Sequence, residues 1–137
     1  MKVFIDTNVL IDFMAMRQPY YQAAAALFSL AEMKELQIVY SSTSVANSFY
    51  ILRKNYNSIQ LAEAFENQKE IVNICGVSSS EVYAALSARW EDGEDSIQYH
   101  SALAAQCDCI LTRNIKDFSQ AELPVMSPEE FLDKYFA

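Results

Sequence analysis

Val3-Phe4-Ile5-Asp6-Thr7-Asn8-Val9-Leu10 lies almost at the start of the chain, and its reading decides the fold. An apolar run stops abruptly at a carboxylate. That pattern predicts a buried strand over residues 2–6, which hands Asp6 to whatever lies beyond the sheet. A second passage of the same kind lies far downstream, where Ile110-Leu111 runs into Thr112-Arg113-Asn114, with Asp117 three residues later. Between the two, Asp92-Gly93-Glu94-Asp95 opens a helical pattern. Acidic and amide oxygens at strand ends and helix starts suit a hard cation such as Mg²⁺. They point to metal-assisted chemistry on a phosphodiester.

The rest of the chain alternates short apolar strands with helices. A short helix is expected over 7–14. Pro19 opens a longer one to Lys34, with Ala23, Ala24, Leu27, Leu30 and Ala31 at helical spacing. Ile38-Val39-Tyr40 reads as a second strand. Ser41 to Ser44 form a cap-rich start to a helix carrying Phe49, Tyr50 and Leu52. Asn57-x-x-Gln60 predicts a capped helix to Lys69, and Ile71-Val72-Asn73-Ile74 a third strand. Ser78-x-x-Glu81 predicts a capping box for a helix over 79–89. The helix from Asp92 to Ala105 is expected to turn Ile97, Leu103 and Ala104 inward. Cys109-Ile110-Leu111 makes a fourth strand. Pro124-Val125-Met126 makes a fifth, placed at an edge by its proline. Ser127-Pro128-Glu129-Glu130 starts the last helix with an N-cap, a proline at N1 and a glutamate at N3.

Strands of this kind between helices imply an α/β fold, a single-domain three-layer sandwich around a mainly parallel sheet of four to five short strands. Ligands of such sheets bind beyond the carboxyl ends of the strands, where Asp6 and Asn114 both fall. With 137 residues and only two glycines, the chain reads as one domain, 1–137, without a flexible linker. No apolar run approaches the roughly 20 residues that span a bilayer. No signal-peptide pattern is visible, so a cytosolic (cytoplasmic) protein is expected, with no membrane partner. Three cysteines, Cys75, Cys107 and Cys109, form neither a disulfide framework nor a zinc spacing, and Cys109 is expected to be buried. The formal charge of −8 excludes broad electrostatic gripping of nucleic acid. Contact must be local, through metal ions and a few cations, or the acidic face must meet a basic protein.

Each acidic residue also has a plain structural use. Asp6 and Asp92 suit helix N-caps, Asp95 a first turn, and Asp117 a turn before Phe118. Their joint placement on one side of a sheet favours a functional site. His100, the one histidine, reads as a surface or interfacial helix residue. Arg113 and Lys116 are close enough in sequence to meet phosphates flanking a scissile bond, with a solvated loop as the equal alternative. Arg53 and Lys54 suit a helix C-terminus. Tyr50, Tyr56, Tyr83 and Tyr99 could stack on bases, with core packing the better reading for most of them.

The opening stretch Val3 to Leu10, the acidic Glu94-Asp95-Ser96-Ile97-Gln98-Tyr99, the passage from Ile110 to Phe118 and the closing Leu123 to Phe131 together resemble the PIN-domain family, which includes the VapC-type toxin ribonucleases of bacterial toxin–antitoxin pairs. The resemblance runs through nearly the whole chain, in the family's order. It implies an endoribonuclease that holds Mg²⁺ or Mn²⁺ in an acidic cluster. On that resemblance Asp6 and Asp95 are the main metal ligands. Asn114 stands where many members have Asp, and Asp117 lies just beyond. Thr7 and Asn8 flank the first ligand, and Thr112 orients neighbours or a water. Asn47 occupies a position where most members have Glu, which keeps an oxygen donor and loses a charge; Asp92 or Glu94 could compensate. The resemblance further implies an RNA substrate and an antitoxin protein whose basic tail suits the acidic cleft. It also implies homodimers, for which the helices over 19–33 and 43–56 offer surfaces. Asp6 and Asp95 are expected at the rim, so that replacing them would spare the fold.

Two other readings are open on the residues. Asp6-x-Asn8 is a degraded form of the Asp-x-Asp motif of haloacid-dehalogenase-type phosphatases, with Asp6 as nucleophile and Ser41 or Ser42 after a strand. Alternatively, the neutral Asn47 and Asn114 suit a non-catalytic PIN-like interaction module.

Overall fold

A computed structural model describes residues 1–137. Five strands form one all-parallel sheet: β1 (Lys2–Ile5), β2 (Gln37–Ser41), β3 (Val72–Cys75), β4 (Cys109–Leu111) and β5 (Val125–Met126), in the order β3-β2-β1-β4-β5. The helices are α1 (Thr7–Met14), α2 (Tyr21–Glu32), α3 (Ser42–Leu52), α4 (Ser58–Asn67), α5 (Ser79–Ala88), α6 (Gly93–Ala104) and α7 (Pro128–Tyr135), with a short 3₁₀ turn over Ile115–Phe118. The α/β architecture expected from the sequence is the one observed, with β5 at an edge. No helix is long and apolar enough to cross a membrane.

Strand alternation divides the core in two. Val3, Ile5, Ile38, Tyr40, Cys109 and Leu111 face one side, where Leu27 and Phe28 of α2 and Phe131 of α7 cover them. Phe4, Val39 and Ile110 face the other, against Tyr99 and Ala102 of α6 and Phe118. Both faces of β1, β2 and β4 are therefore dry, which is why those strands read as unbroken apolar runs. All three cysteines are free. Burial pushes the Cys109 thiol up to about 11, as an inert core residue requires.

The capping chemistry is largely as read. Asn57 and Gln60 form a reciprocal capping box at α4, and Ser127 and Glu130 form another at α7 with Pro128 inside its first turn. The α5 start differs. Ser78 makes no side-chain bond to the helix backbone and donates its hydroxyl to the Glu81 carboxylate instead. A charged acceptor outcompetes the capping geometry.

The buried face of α6 is a clearer correction. Leu103 and Ala104 are exposed, while Ser96, Gln98, Tyr99, Ser101 and Ala102 are buried. Apolar periodicity misjudged this helix because its inward face is built from small and hydrogen-bonded polar residues. Ser96 and Ser101 return their hydroxyls to backbone carbonyls, of Ala85 and Ile97 respectively. The α2 helix, one of the surfaces offered for a homodimer, turns one face to the core. Its apolar residues Ala24, Leu27, Phe28 and Ala31 go into the core.

Candidate metal centre at the carboxyl edge of the sheet

Sheet register assembles the centre. Ile5 pairs with Leu111, so the next residues, Asp6 and Thr112, leave adjacent parallel strands side by side. Here the strand order turns, with β2 on one side of β1 and β4 on the other; such switch points open a crevice for ligands. The Asp6 amide donates to the Leu111 carbonyl at 3.0 Å, and the Thr112 hydroxyl donates to Asp6 Oδ2 at 2.9 Å. The Asn8 amide reaches the same oxygen at 3.4 Å. Asp6 Oδ1 accepts from the Thr7 backbone amide at 2.9 Å, which caps α1, and from Gln98 Nε2 at 3.3 Å.

Asp6 is thus only 6% exposed and is held by four donors. The expected rim position is corrected on this point: the carboxylate is a buried element of the structure. Burial raises its pKa, opposed by the bonds from Thr112, Gln98 and Thr7.

Beneath Asp6 lies a polar network that sequence reading missed. Gln98 Oε1 accepts from the Ser41 hydroxyl at 2.6 Å, and its amide donates to Ser44 Oγ at 2.9 Å. Ser44 in turn meets the Thr7 hydroxyl at 2.8 Å. Ser41 caps α3 and is fully buried. It cannot face a substrate, as the phosphatase reading requires. The signal for the network is the polar residue at Gln98, three residues after Asp95, on a helix otherwise judged by its apolar positions. No buried polar side-chain atom in the protein lacks a partner, so this support is fixed in advance of any ligand.

Above Asp6 opens a cleft of about 530 Å³, lined by Asp6, Thr7, Asn8, Asn47, Asp95, Asn114 and Asp117 among others. Seven of the sequence-derived candidates therefore come together. Asp92 caps α6 through the Asp95 amide at 3.1 Å and also lines the cleft. Asp95 is half-buried in α6's first turn. Burial and the charges of Asp6, Asp92, Asp117 and Glu94 push its pKa up to about 7. Asn47 donates to Glu94 Oε1 at 2.6 Å and so swings a neighbouring carboxylate over the cleft.

Thr112 stands behind the cleft, bonded also to the Asn114 amide at 3.1 Å. Lys116 lines an adjoining cavity that shares Asp92 and Asp117 with the cleft. Arg113 is used differently from the expected phosphate contact. Its Nε and Nη2 donate to the two oxygens of Asp12 at 2.7 and 3.2 Å, and its guanidinium lies 4.1 Å over the Tyr20 ring. Asp12 is buried and requires a counter-charge, which fixes Arg113 as its partner. Arg17, unremarked in the sequence, is the cation that lines the cleft.

The tyrosines divide. Tyr99 is buried, Tyr56 half-buried, and Tyr50 and Tyr83 are 67% and 69% exposed, against the expectation of core packing for most. Tyr50 lines the cleft. Arg53 donates to the Tyr50 carbonyl at the end of α3, the helix-terminal use expected of it. His100 packs on Trp90 and Tyr99, and its Nδ1 lies 2.8 Å from the Ser96 carbonyl.

The donor set suits a small hard cation. It offers carboxylates from Asp6, Asp95, Asp117 and Glu94 and an amide oxygen from Asn114, with neither thiolate nor imidazole in the cleft. The repulsion that raises Asp95's pKa is the cost such a cation would relieve. No three acidic side chains are drawn tightly enough together to hold an ion by themselves.

The PIN domain family pattern matches residues 2–116, and the chain belongs to the PIN-domain family. Among its relatives is Ribonuclease VapC1 of Aquifex aeolicus (strain VF5), 28% identical over 142 residues that cover 98% of this chain and 95% of that protein. The fold is shared with VapBC2 from Rickettsia felis, solved bound to a promoter DNA fragment, at a TM-score of 0.67 and 20% identity, covering 93% of this chain and 98% of that one. It is also shared with a toxin–antitoxin complex from Klebsiella pneumoniae, at a TM-score of 0.66 and 23% identity, covering 92% and 97%. Membership of this family removes the haloacid-dehalogenase reading.

Proposed function

We propose that the protein is a metal-dependent endoribonuclease, the toxin half of a toxin–antitoxin pair. The observation that carries this is the convergence of Asp6, Asp95, Asn114 and Asp117 on one polar cleft at the switch point of the sheet. The relative named a ribonuclease and the fold neighbours solved with antitoxins support it.

A bound Mg²⁺ or Mn²⁺ would supply a water of lowered pKa and a charge against the phosphoryl oxygens. Asp6 and Asp95 would hold the ion, with Asn114 and Asp117 as the further oxygen donors of the same cleft. Glu94, steadied by Asn47, replaces the charge lost at position 47. Thr112, Asn8 and Gln98 fix the orientation of Asp6 from behind, as outer-shell partners do. Arg17 and Lys116 are the cations available to RNA phosphates on either side. An antitoxin with a basic tail fits the same acidic cleft and silences it by occupying the cation's place. The exposed Tyr50 and Ile51 at the end of α3 belong to the surface a homodimer or antitoxin would cover.

The test is cleavage of structured and single-stranded RNAs with Mn²⁺ or Mg²⁺, beside Asp95→Asn and an EDTA control. Activity that needs metal and vanishes in the variant establishes the nuclease. A cleft that binds no Mn²⁺ in calorimetry and cuts no RNA would instead leave the non-catalytic interaction module, with Asn47 and Asn114 as its cause.

A further inference from the structure

Beside the acidic cleft lies a second cavity of about 340 Å³, walled by Trp90, Glu91, Lys116, Ser119 and Gln120 and joined to the cleft through Asp92 and Asp117. Its one aromatic wall is the chain's only tryptophan. The indole is braced from the core. Tyr99 stacks on it at 5.1 Å and 23°, and Phe118 meets it edge-on at 6.0 Å and 85°. Tyr99 is itself tied down, its hydroxyl accepting the Glu122 amide at 3.1 Å. Trp90 is half-buried: part of the ring packs on the core around Tyr99 and Phe118, and the ring also lines the polar cavity. The part that lines the cavity offers an aromatic surface to a flat ligand with a polar edge.

We propose that this cavity is a nucleotide subsite that stacks one base of single-stranded RNA on Trp90, next to the phosphate presented to the acidic cleft. It rests on the ribonuclease reading and names where that enzyme holds its substrate. The walls are sorted by chemistry. Trp90 offers the stacking surface, which accepts any base. Glu91, Asp92 and Asp117 are hydrogen-bond acceptors of the cavity wall, suited to bases that carry exocyclic amines. Lys116 supplies the only positive charge of the cavity, for a neighbouring phosphate. The carboxylates of the wall disfavour phosphate inside the cavity, and Lys116 is the one wall group that attracts it. Uracil, which has no amine, fits these walls least. The subsite therefore confers a preference for an amine-bearing base at one position flanking the cut.

Because Trp90 is unique, its fluorescence reports the subsite directly. The experiment titrates full-length Asp95→Asn protein with short single-stranded RNAs differing at one position. Trp90 emission and the anisotropy of labelled RNA are read together. The expected result is quenching of Trp90 in step with binding, weaker for uracil than for guanine. Trp90→Leu, which keeps an apolar residue on Tyr99, should weaken binding about tenfold, in line with the loss of one stacked base. Lys116→Ala should weaken all sequences alike. RNA that binds by anisotropy while Trp90 emission stays constant and Trp90→Leu binds equally well overturns the subsite. So does RNA that fails to bind at all. Metal-dependent cleavage in the parent protein judges the ribonuclease reading separately. If Trp90→Leu fails to fold, the emission of the tryptophan-containing protein still decides.

Discussion

Asp95 is where burial and crowded negative charge meet in the cleft. Its carboxyl is raised from an ordinary 3.8 to about 7 by burial and four neighbouring acids. The folded state therefore keeps its proton to higher pH than the unfolded chain does. Stability from this group is full below about 4 and falls as pH rises toward 7. Asp95→Asn removes that cost, and the metal-free variant should gain about 1–2 kcal/mol at pH 8 after allowance for solvent screening. Urea denaturation at pH 5 and pH 8 checks it: the gain must appear at pH 8 and shrink at pH 5. The same titration fixes the direction for metal. Mn²⁺ requires the deprotonated acid, so its affinity in the parent protein should climb as pH passes 7, measurable by calorimetry. Thr112 belongs to this scale too. Thr112→Val removes the donor to Asp6 Oδ2 and the acceptor for the Asn114 amide. Mn²⁺ affinity should fall about 10–100-fold, the usual loss for an outer-shell partner. An unchanged affinity would mean that Asp6 needs no orienting.

Among the elements, the clamp between α1 and the loop after β4 carries the main reassignment. Arg113, read as either a phosphate contact or part of a solvated loop, is found neutralising Asp12, buried at 1% exposure. The burial of Asp12 pushes its pKa up, and Arg113 opposes that shift. Arg113→Ala leaves a buried carboxyl alone and should cost about 2–4 kcal/mol. Asp12→Asn combined with Arg113→Ala should recover part of that loss, and a double-mutant cycle in thermal unfolding gives the coupling. A phosphate-binding arginine would instead leave stability unchanged and weaken only RNA binding. Similar reasoning applies to α6. Its apolar residues Leu103 and Ala104 look outward, because Gln98 and the serines turn in to support Asp6 and pack closely.

At the scale of the whole molecule the charge of −8 limits how RNA would be held on the proposed ribonuclease reading. Only Arg17 and Lys116 line the cleft and its neighbouring cavity as cations. Two phosphate contacts to a single strand correspond to a slope of about −1.4 in the logarithm of affinity against the logarithm of salt. Binding of a non-cleavable RNA measured from 50 to 300 mM salt should give a slope near that value. A slope several times steeper would reveal a basic surface that this chain does not have, and would point to a second protein in the complex. A basic antitoxin should show the opposite behaviour, its grip loosening strongly with salt, since it meets the acidic face directly.

The sequence by itself determined the order and kind of the elements. Buried parallel strands are written as unbroken apolar runs, and helix starts as capping residues; Val3-Phe4-Ile5 and Ser127-Pro128-Glu129-Glu130 were legible for those local reasons. It also pointed to Asp6 and Asn114 just past strand carboxyl ends, and the resemblance added Asp95 and Asp117; their meeting in one cleft depended on β1 and β4 being neighbours. The tertiary structure alone decided what each side chain touches. The register Ile5 against Leu111 makes Thr112 the partner of Asp6. The burial of Asp12 claims Arg113. Asn47 reaches Glu94 across 47 residues of chain, and Gln98 reaches Asp6 across 92. Local sequence encodes backbone conformation through nearest neighbours, whereas a hydrogen bond or an ion pair depends on which distant atom fills the remaining few ångströms.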